Sequence, residues 1–158
     1  MKKTTPIVAA AILALAAPAA FAAMDHGSMP MDHGSMKMEH NGMMSKGTLA
    51  HEEVVDGVKA TFRVIDIQQK MKEMGMKETH HIMAMFTDAK TGKMLSGGEA
   101  KMKVMAPDKT EQVKDLMGMA GGFGSDFTMP KKGKYGVMCK FKLADGKVRT
   151  VKFWYTVK

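Results

Sequence analysis

Residues 48–158 predict a mainly β chain, a small antiparallel β-sandwich of immunoglobulin-like type, and three observations carry the prediction. Apolar and polar residues alternate with period two in five stretches, turn-forming residues recur at short intervals, and helical spacing is confined to two short segments. A closed barrel is the alternative arrangement for the same strands.

The chain before this domain divides into two parts. Residues 1–22 read as a cleaved signal peptide: Lys2 and Lys3 form the positive region, Ile7 to Ala17 the apolar run, and Ala20-Phe21-Ala22 the small-x-small processing site. The apolar run is too short for a membrane span, so a periplasmic protein, not integral to the membrane after processing, is expected. Residues 23–47 contain Gly, Ser and Pro but no aromatic or β-branched residue, so this segment is expected to be disordered without a ligand.

Within the domain, Val58, Ala60, Phe62 and Val64 share one face of a strand, and Ile82, Ala84 and Phe86 share another, opposite His81, Met83 and Met85. Ala100, Met102, Val104 and Ala106 mark a third. Tyr135, Val137, Cys139, Phe141 and Leu143 face one way, Asp145-Gly146 forms a two-residue turn, and Val151, Phe153, Tyr155 and Val157 follow, which predicts a hairpin. Thr91-Gly92 is a second turn signal. Gln68 to Lys77 and Thr110 to Met119 do not alternate and are expected as short helix or loop, with Gly121, Gly122 and Gly124 interrupting regular structure. Six or seven strands result.

Charge and cysteine content exclude several functions. The net charge of +8 includes Lys2 and Lys3 of the leader, leaving +6, but the lysines are dispersed without interleaved aromatics, which argues against nucleic acid. Weak attraction to anionic lipid is compatible with it. Cys139 is the sole cysteine; it is far from the processing site and inward-facing, so neither lipidation nor an intramolecular disulfide is available. No phosphate loop, no nucleophile with a base and no paired carboxylates are evident, so no enzyme is predicted. A blue-copper centre is discounted because Cys139 lies mid-strand.

The informative feature is a repeat: Met24-Asp25-His26-Gly27-Ser28-Met29, Met31-Asp32-His33-Gly34-Ser35-Met36 and the degenerate Met38-Glu39-His40-Asn41-Gly42-Met43. Its period of seven is not a coiled coil, because Gly and Ser in each unit and Pro30 between two of them oppose a helix. Thioethers are soft, neutral donors suited to Cu(I) and Ag(I), and imidazole accepts Cu(I) or Cu(II). Methionine also needs no deprotonation and escapes disulfide formation in an oxidising compartment. The ligands predicted here are Met24, His26, Met29, Met31, His33, Met36, Met38, His40 and Met43, with copper as the ion, Cu(I) preferred and Cu(II) a second state, and silver the alternative. Cleavage after Ala23 instead of Ala22 would create a Met24-Asp25-His26 terminus that chelates Cu(II).

In the domain, His80, His81, Met83 and Met85 form a second candidate set, to which Met71, Met74 and Met76 are neighbours in sequence, and Met117 and Met119 add two thioethers in a Gly-rich region. The competing readings are that these methionines pack a half-buried face or anchor a loop. Trp154 is a candidate π-cap for Cu(I).

The tandem Met-Asp-His-Gly-Ser-Met units resemble the Met/His-rich segments of bacterial periplasmic copper and silver resistance proteins. The domain, with Gly92 in a turn, Met117-Gly118-Met119, Gly122 and Gly133-Lys134-Tyr135-Gly136 before a closing hairpin, resembles YtkA-like domains, which implies an immunoglobulin-like sandwich associated with copper handling. A metallochaperone or metal buffer is therefore expected, passing its ion to a membrane efflux protein or a copper-delivery partner. The alternative is an envelope interaction module whose Met-rich linker is incidental.

Overall fold

The alternating segments pair as two antiparallel sheets. In the computed structural model, which describes residues 46–119 and 121–158, strands β1 (Thr48–Val55), β2 (Val58–Asp66), β3 (His80–Asp88), β7 (Gly122–Phe127) and β6 (Met117–Met119) form one sheet in the order β1-β2-β3-β7-β6. Strands β5 (Glu111–Asp115), β4 (Gly98–Met105), β8 (Gly133–Leu143) and β9 (Val148–Val157) form the other, in the order β5-β4-β8-β9. A six-residue helix, α1 (Gln68–Glu73), links β2 to β3 where Met71 and Met74 showed helical spacing. Among the described residues no helix is long and apolar enough to cross a membrane.

The predicted inward faces meet between the sheets. Phe62, Ile82, Ala84 and Phe86 of one sheet pack on Met102, Val104, Val137, Cys139, Phe141, Val151 and Phe153 of the other. Phe86 stacks on Phe141 with centroids 4.1 Å apart, and Phe62 lies 4.9 Å from Phe153. Burial of this apolar surface is the main stabilising contribution, at about 25 cal/mol per Å². Tyr135, fully buried, donates its hydroxyl to the Lys131 carbonyl (2.9 Å) and accepts from the Lys131 amide (3.1 Å), the tyrosine corner typical of sandwiches of this kind.

Local chemistry explains the turns. Asp56 and Gly57, both at positive φ (47° and 73°), join β1 to β2 as the two-residue hairpin loop whose twist matches the strands. The β8–β9 hairpin forms as predicted, but its loop has four residues, 144 to 147, instead of two. The reason is Asp145: its carboxylate accepts from the Lys147 amide and from buried Arg149, which holds the chain in a wider loop.

Three further expectations are corrected. Among the described residues the strands number nine. Thr110 to Met119 contains β5 and β6 instead of helix or loop: β5 is an exposed, charged edge strand, so tertiary pairing with β4 and not propensity makes it extended. It is also pinned to the chain just after β7, since Gln112 exchanges two hydrogen bonds with the Thr128 backbone (2.7 and 3.0 Å). Gly122 and Gly124, read as interrupting regular structure, lie within β7 itself, where the neighbouring strands β3 and β6 hold the backbone extended.

Candidate metal site on the outer face of the five-stranded sheet

Period two sends alternate residues of β3 outward: His81, Met83 and Met85. The same rule applied to β7 sends Gly122, Gly124 and Asp126 outward, because Phe123 and Phe127 enter the core. On β6, Gly118 lies opposite inward Phe123, so Met117 and Met119 also face out. In the ladder Met83 stands opposite Gly124 and Gly124 opposite Met117, while Met119 stands opposite Gly122.

This arrangement makes a trough with thioethers on both banks. Strands β3 and β6 are two inter-strand spacings apart, roughly 9.5 Å, too wide for methionines to meet over an ordinary strand. With no side chain on Gly122 and Gly124, side chains of the flanking strands can lie over the strip between them, and both glycines are buried. An ideal Cβ placed on Gly124 would stand 2.8 Å from His81 Nε2 and 3.3 Å from Met119 Cε, so imidazole and thioether converge on one point from two different strands.

The imidazole is oriented for ligation. His81 Nδ1 lies 2.5 Å from Asp126 Oδ1, its opposite neighbour in the β3–β7 ladder. With the proton on Nδ1 donated to that carboxylate, Nε2 keeps its lone pair and points into the trough. Lys114 Nζ donates to the Asp126 carbonyl (2.7 Å) and lies 3.7 Å from Glu78, which fixes the backbone that carries the carboxylate. Met83 is 2% exposed although it stands outside the core between the sheets, Met85 is half-buried, and Met119 and Met117 are 39% and 69% exposed. The site thus grades from covered to open.

The donor set is one imidazole and four thioethers, all neutral, with Asp126 as the nearby counter-charge. Among the described residues no group of three His, Cys, Asp or Glu could hold a metal, so any ion bound here depends on sulfur. That set fits Cu(I) or Ag(I) and fits hard cations poorly.

The structure separates His80 from this set. His80 points to the other side of the sheet, is buried, lies 2.8 Å from Thr79 Oγ1 through Nδ1 and meets the Tyr155 ring edge-on at 6.3 Å. Burial pushes its pKa down, with Asp66 opposing the shift, which keeps the ring neutral in the interior. Met71, Met74 and Met76 lie on α1 and in the loop after it. Trp154 is on the outer face of the other sheet, against Gly136 and Met105, and does not cap this site. Cys139 is buried and its thiol is pushed up to about 12 by desolvation, which removes it as a ligand. Met24, His26, Met29, Met31, His33, Met36, Met38, His40 and Met43 lie outside the described residues.

No family model matches the chain, and no curated protein matches it in sequence. Solved structures do resemble it. A copper-bound variant of FetP from uropathogenic Escherichia coli strain F11 superposes with a TM-score of 0.57 at 12% identity, covering 70% of this chain and 95% of that one. A copper-bound variant of Campylobacter jejuni P19 gives 0.56 at 12%, covering 72% and 97%. A DUF4426 family protein from Pseudomonas aeruginosa gives 0.53 at 11%, covering 68% and 94%. The sandwich is a fold these proteins share.

Sequence reasoning missed Asp126 and the role of Gly122 and Gly124. The signal was present: positions 122, 124 and 126 have one parity, so a strand reading would have put two glycines and a carboxylate on a single face.

Proposed function

We propose that this chain is a copper-binding protein of the bacterial periplasm, acting as a metallochaperone or buffer in metal homeostasis and resistance. The observation that carries the reading is the convergence of His81 Nε2 and Met119 over Gly124, with Asp126 orienting the imidazole. Met83 and Met85 complete one bank of the trough and Met117 the open end. The copper-bound state of two proteins with the same fold supports the choice of metal.

In this reading the Met/His repeat of residues 23–47 captures the ion and the sheet site holds it for transfer. Thioethers prefer Cu(I), and the imidazoles and acids of the repeat extend the range to Cu(II); Ag(I) satisfies the same soft donors. Exchange through exposed Met117 suits hand-over to a membrane efflux protein or a copper-delivery partner. The function is binding, not catalysis.

The test is a Cu(I) titration against a competing chelator, using the chain without residues 1–22 and a form starting at Thr48. Among the described residues all the buried core residues lie between Val58 and Phe153, so the shorter form retains that core. The short form is expected to bind one Cu(I) with at least ~micromolar affinity, and His81→Ala to weaken it by more than ~10-fold. Uptake by the longer form alone would remove the sheet site. Affinity no better than millimolar in both would remove the metal reading and leave the interaction module.

A further inference from the structure

The second sheet presents a different surface. Outward positions on β4, β8 and β9 carry Lys101, Lys103, Lys134, Lys140, Lys142 and Lys152, against three carboxylates, Glu99 on β4 and Glu111 and Asp115 on β5. Glu111 pairs with Lys103 at 2.9 Å and Asp115 with Lys101 at 3.2 Å. Glu99 stands opposite Lys142 in the ladder without forming an ion pair, and Lys134, Lys140 and Lys152 have no acidic partner among the described residues. Lys140 is directly opposite Lys101, a like-charge cross-strand pair that opposes folding. A merely solvated face would be expected to alternate signs.

At one end of the same face lies Trp154, 60% exposed. Its ring edge stands over Gly136 beside the Met105 methyl, 3.2 and 3.4 Å from where a Cβ would be, and Lys134 Nζ lies 6.0 Å from the ring centroid. Met138 adjoins it, between Lys103 and Lys152 in the ladder. An apolar patch of Trp and Met is thus continuous with a field of flexible lysines.

From these features we propose that the outer face of the β5-β4-β8-β9 sheet docks on the surface of an anionic lipid bilayer, with Trp154 entering the headgroup region and Lys140, Lys142 and Lys152 contacting lipid phosphates. Charge complementarity selects the occupant: the unpaired lysines need an anionic surface. An indole with an apolar body and a polar N–H favours the membrane interface, and lysine stems extend over apolar surface while their ammonium groups reach phosphate. The metal trough lies on the outer face of the other sheet, so a docked molecule leaves it exposed. This inference does not depend on the metal reading.

Trp154 is the only tryptophan in the sequence, so the protein carries its own reporter. The chain lacking residues 1–22 is mixed with vesicles of phosphatidylglycerol and phosphatidylethanolamine in equal parts, or of phosphatidylcholine alone, and followed by co-sedimentation and Trp emission. Sedimentation with the anionic vesicles, a blue shift of the emission, and release as salt rises from roughly 0.05 to 0.3 M are expected. Replacing Lys140, Lys142 and Lys152 together by Glu should reduce partitioning by about 100-fold or more. Replacing exposed Lys70, Lys72 and Lys77 by Glu makes the same charge change away from this face and should have much less effect. The proposal is overturned if anionic vesicles do not retain the protein, if the two triple variants lose binding equally, or if binding leaves the Trp emission unchanged. Retention by soluble poly-glutamate but not by vesicles would overturn it in favour of an acidic protein partner.

Discussion

Adding one methyl group at Gly124 tests the site at the point where imidazole and thioether converge. In Gly124→Ala the new Cβ would lie 2.8 Å from His81 Nε2, 3.1 Å from His81 Cε1 and 3.3 Å from Met119 Cε, whereas carbon contacts are comfortable near 3.5–4.0 Å. Something must move. If the imidazole moves it surrenders its 2.5 Å contact with Asp126, a charge-assisted hydrogen bond contributing about 1.5–3 kcal/mol; if Met119 moves, a thioether leaves the ligand set. Referred to binding, a loss of that size weakens Cu(I) affinity by roughly 10- to 150-fold. Ala in a strand recovers only about 0.5–1 kcal/mol relative to Gly, so the metal-free protein should still fold, melting several degrees below the parent if the imidazole is displaced and close to the parent if Met119 is. Gly118→Ala is the control, since its Cβ meets nothing within 4 Å. Competition titration and thermal melting of the metal-free proteins read both quantities. The reasoning is refuted if Gly124→Ala binds Cu(I) as tightly as the parent, or if Gly118→Ala loses as much.

Asp126→Ala should lower Cu(I) affinity by about 10- to 100-fold by freeing the imidazole to rotate, and Asp126→Asn, which keeps an acceptor but not the charge, should fall between it and the parent in the same titration. Arg149 and the Lys147 amide hold Asp145 well below its ordinary value, to about 2. Because the folded value is depressed, this contribution to stability is present above pH ~4 and lost as pH falls from there towards 2; Asp145→Asn should flatten that part of a pH-dependent melting curve. Cys139, buried with its thiol raised to about 12, should resist alkylation at pH 8 in the native protein and react fully in denaturant, as read by mass spectrometry.

How much was legible varies by element. Inward faces could be read directly, because Val58 to Val64, Ile82 to Phe86 and Tyr135 to Leu143 alternate cleanly and alternation is a property of the strand itself. Strand β5 was missed because its alternation is inverted: its one apolar residue, Val113, points to solvent with Glu111 and Asp115, while polar Gln112 and Lys114 face inward and bond to the Asp126 and Thr128 backbone. Strand β7 was missed because its glycines argue locally against a strand, and only the side chains of neighbouring strands show what the empty positions are for.

For the candidate site the division has the same origin. The sequence by itself determined the donor chemistry, soft thioethers and imidazole without an available thiolate, and the parity that puts His81, Met83 and Met85 on one face. The same parity puts His80 on the opposite face; tertiary structure decided which donors meet, bringing Met117 and Met119 across from β6 and supplying Asp126 to orient His81. Parity is local, being set by the pleat of one strand, whereas strand order and register are settled by packing of the whole core; a site built across three strands becomes readable only when that packing is known.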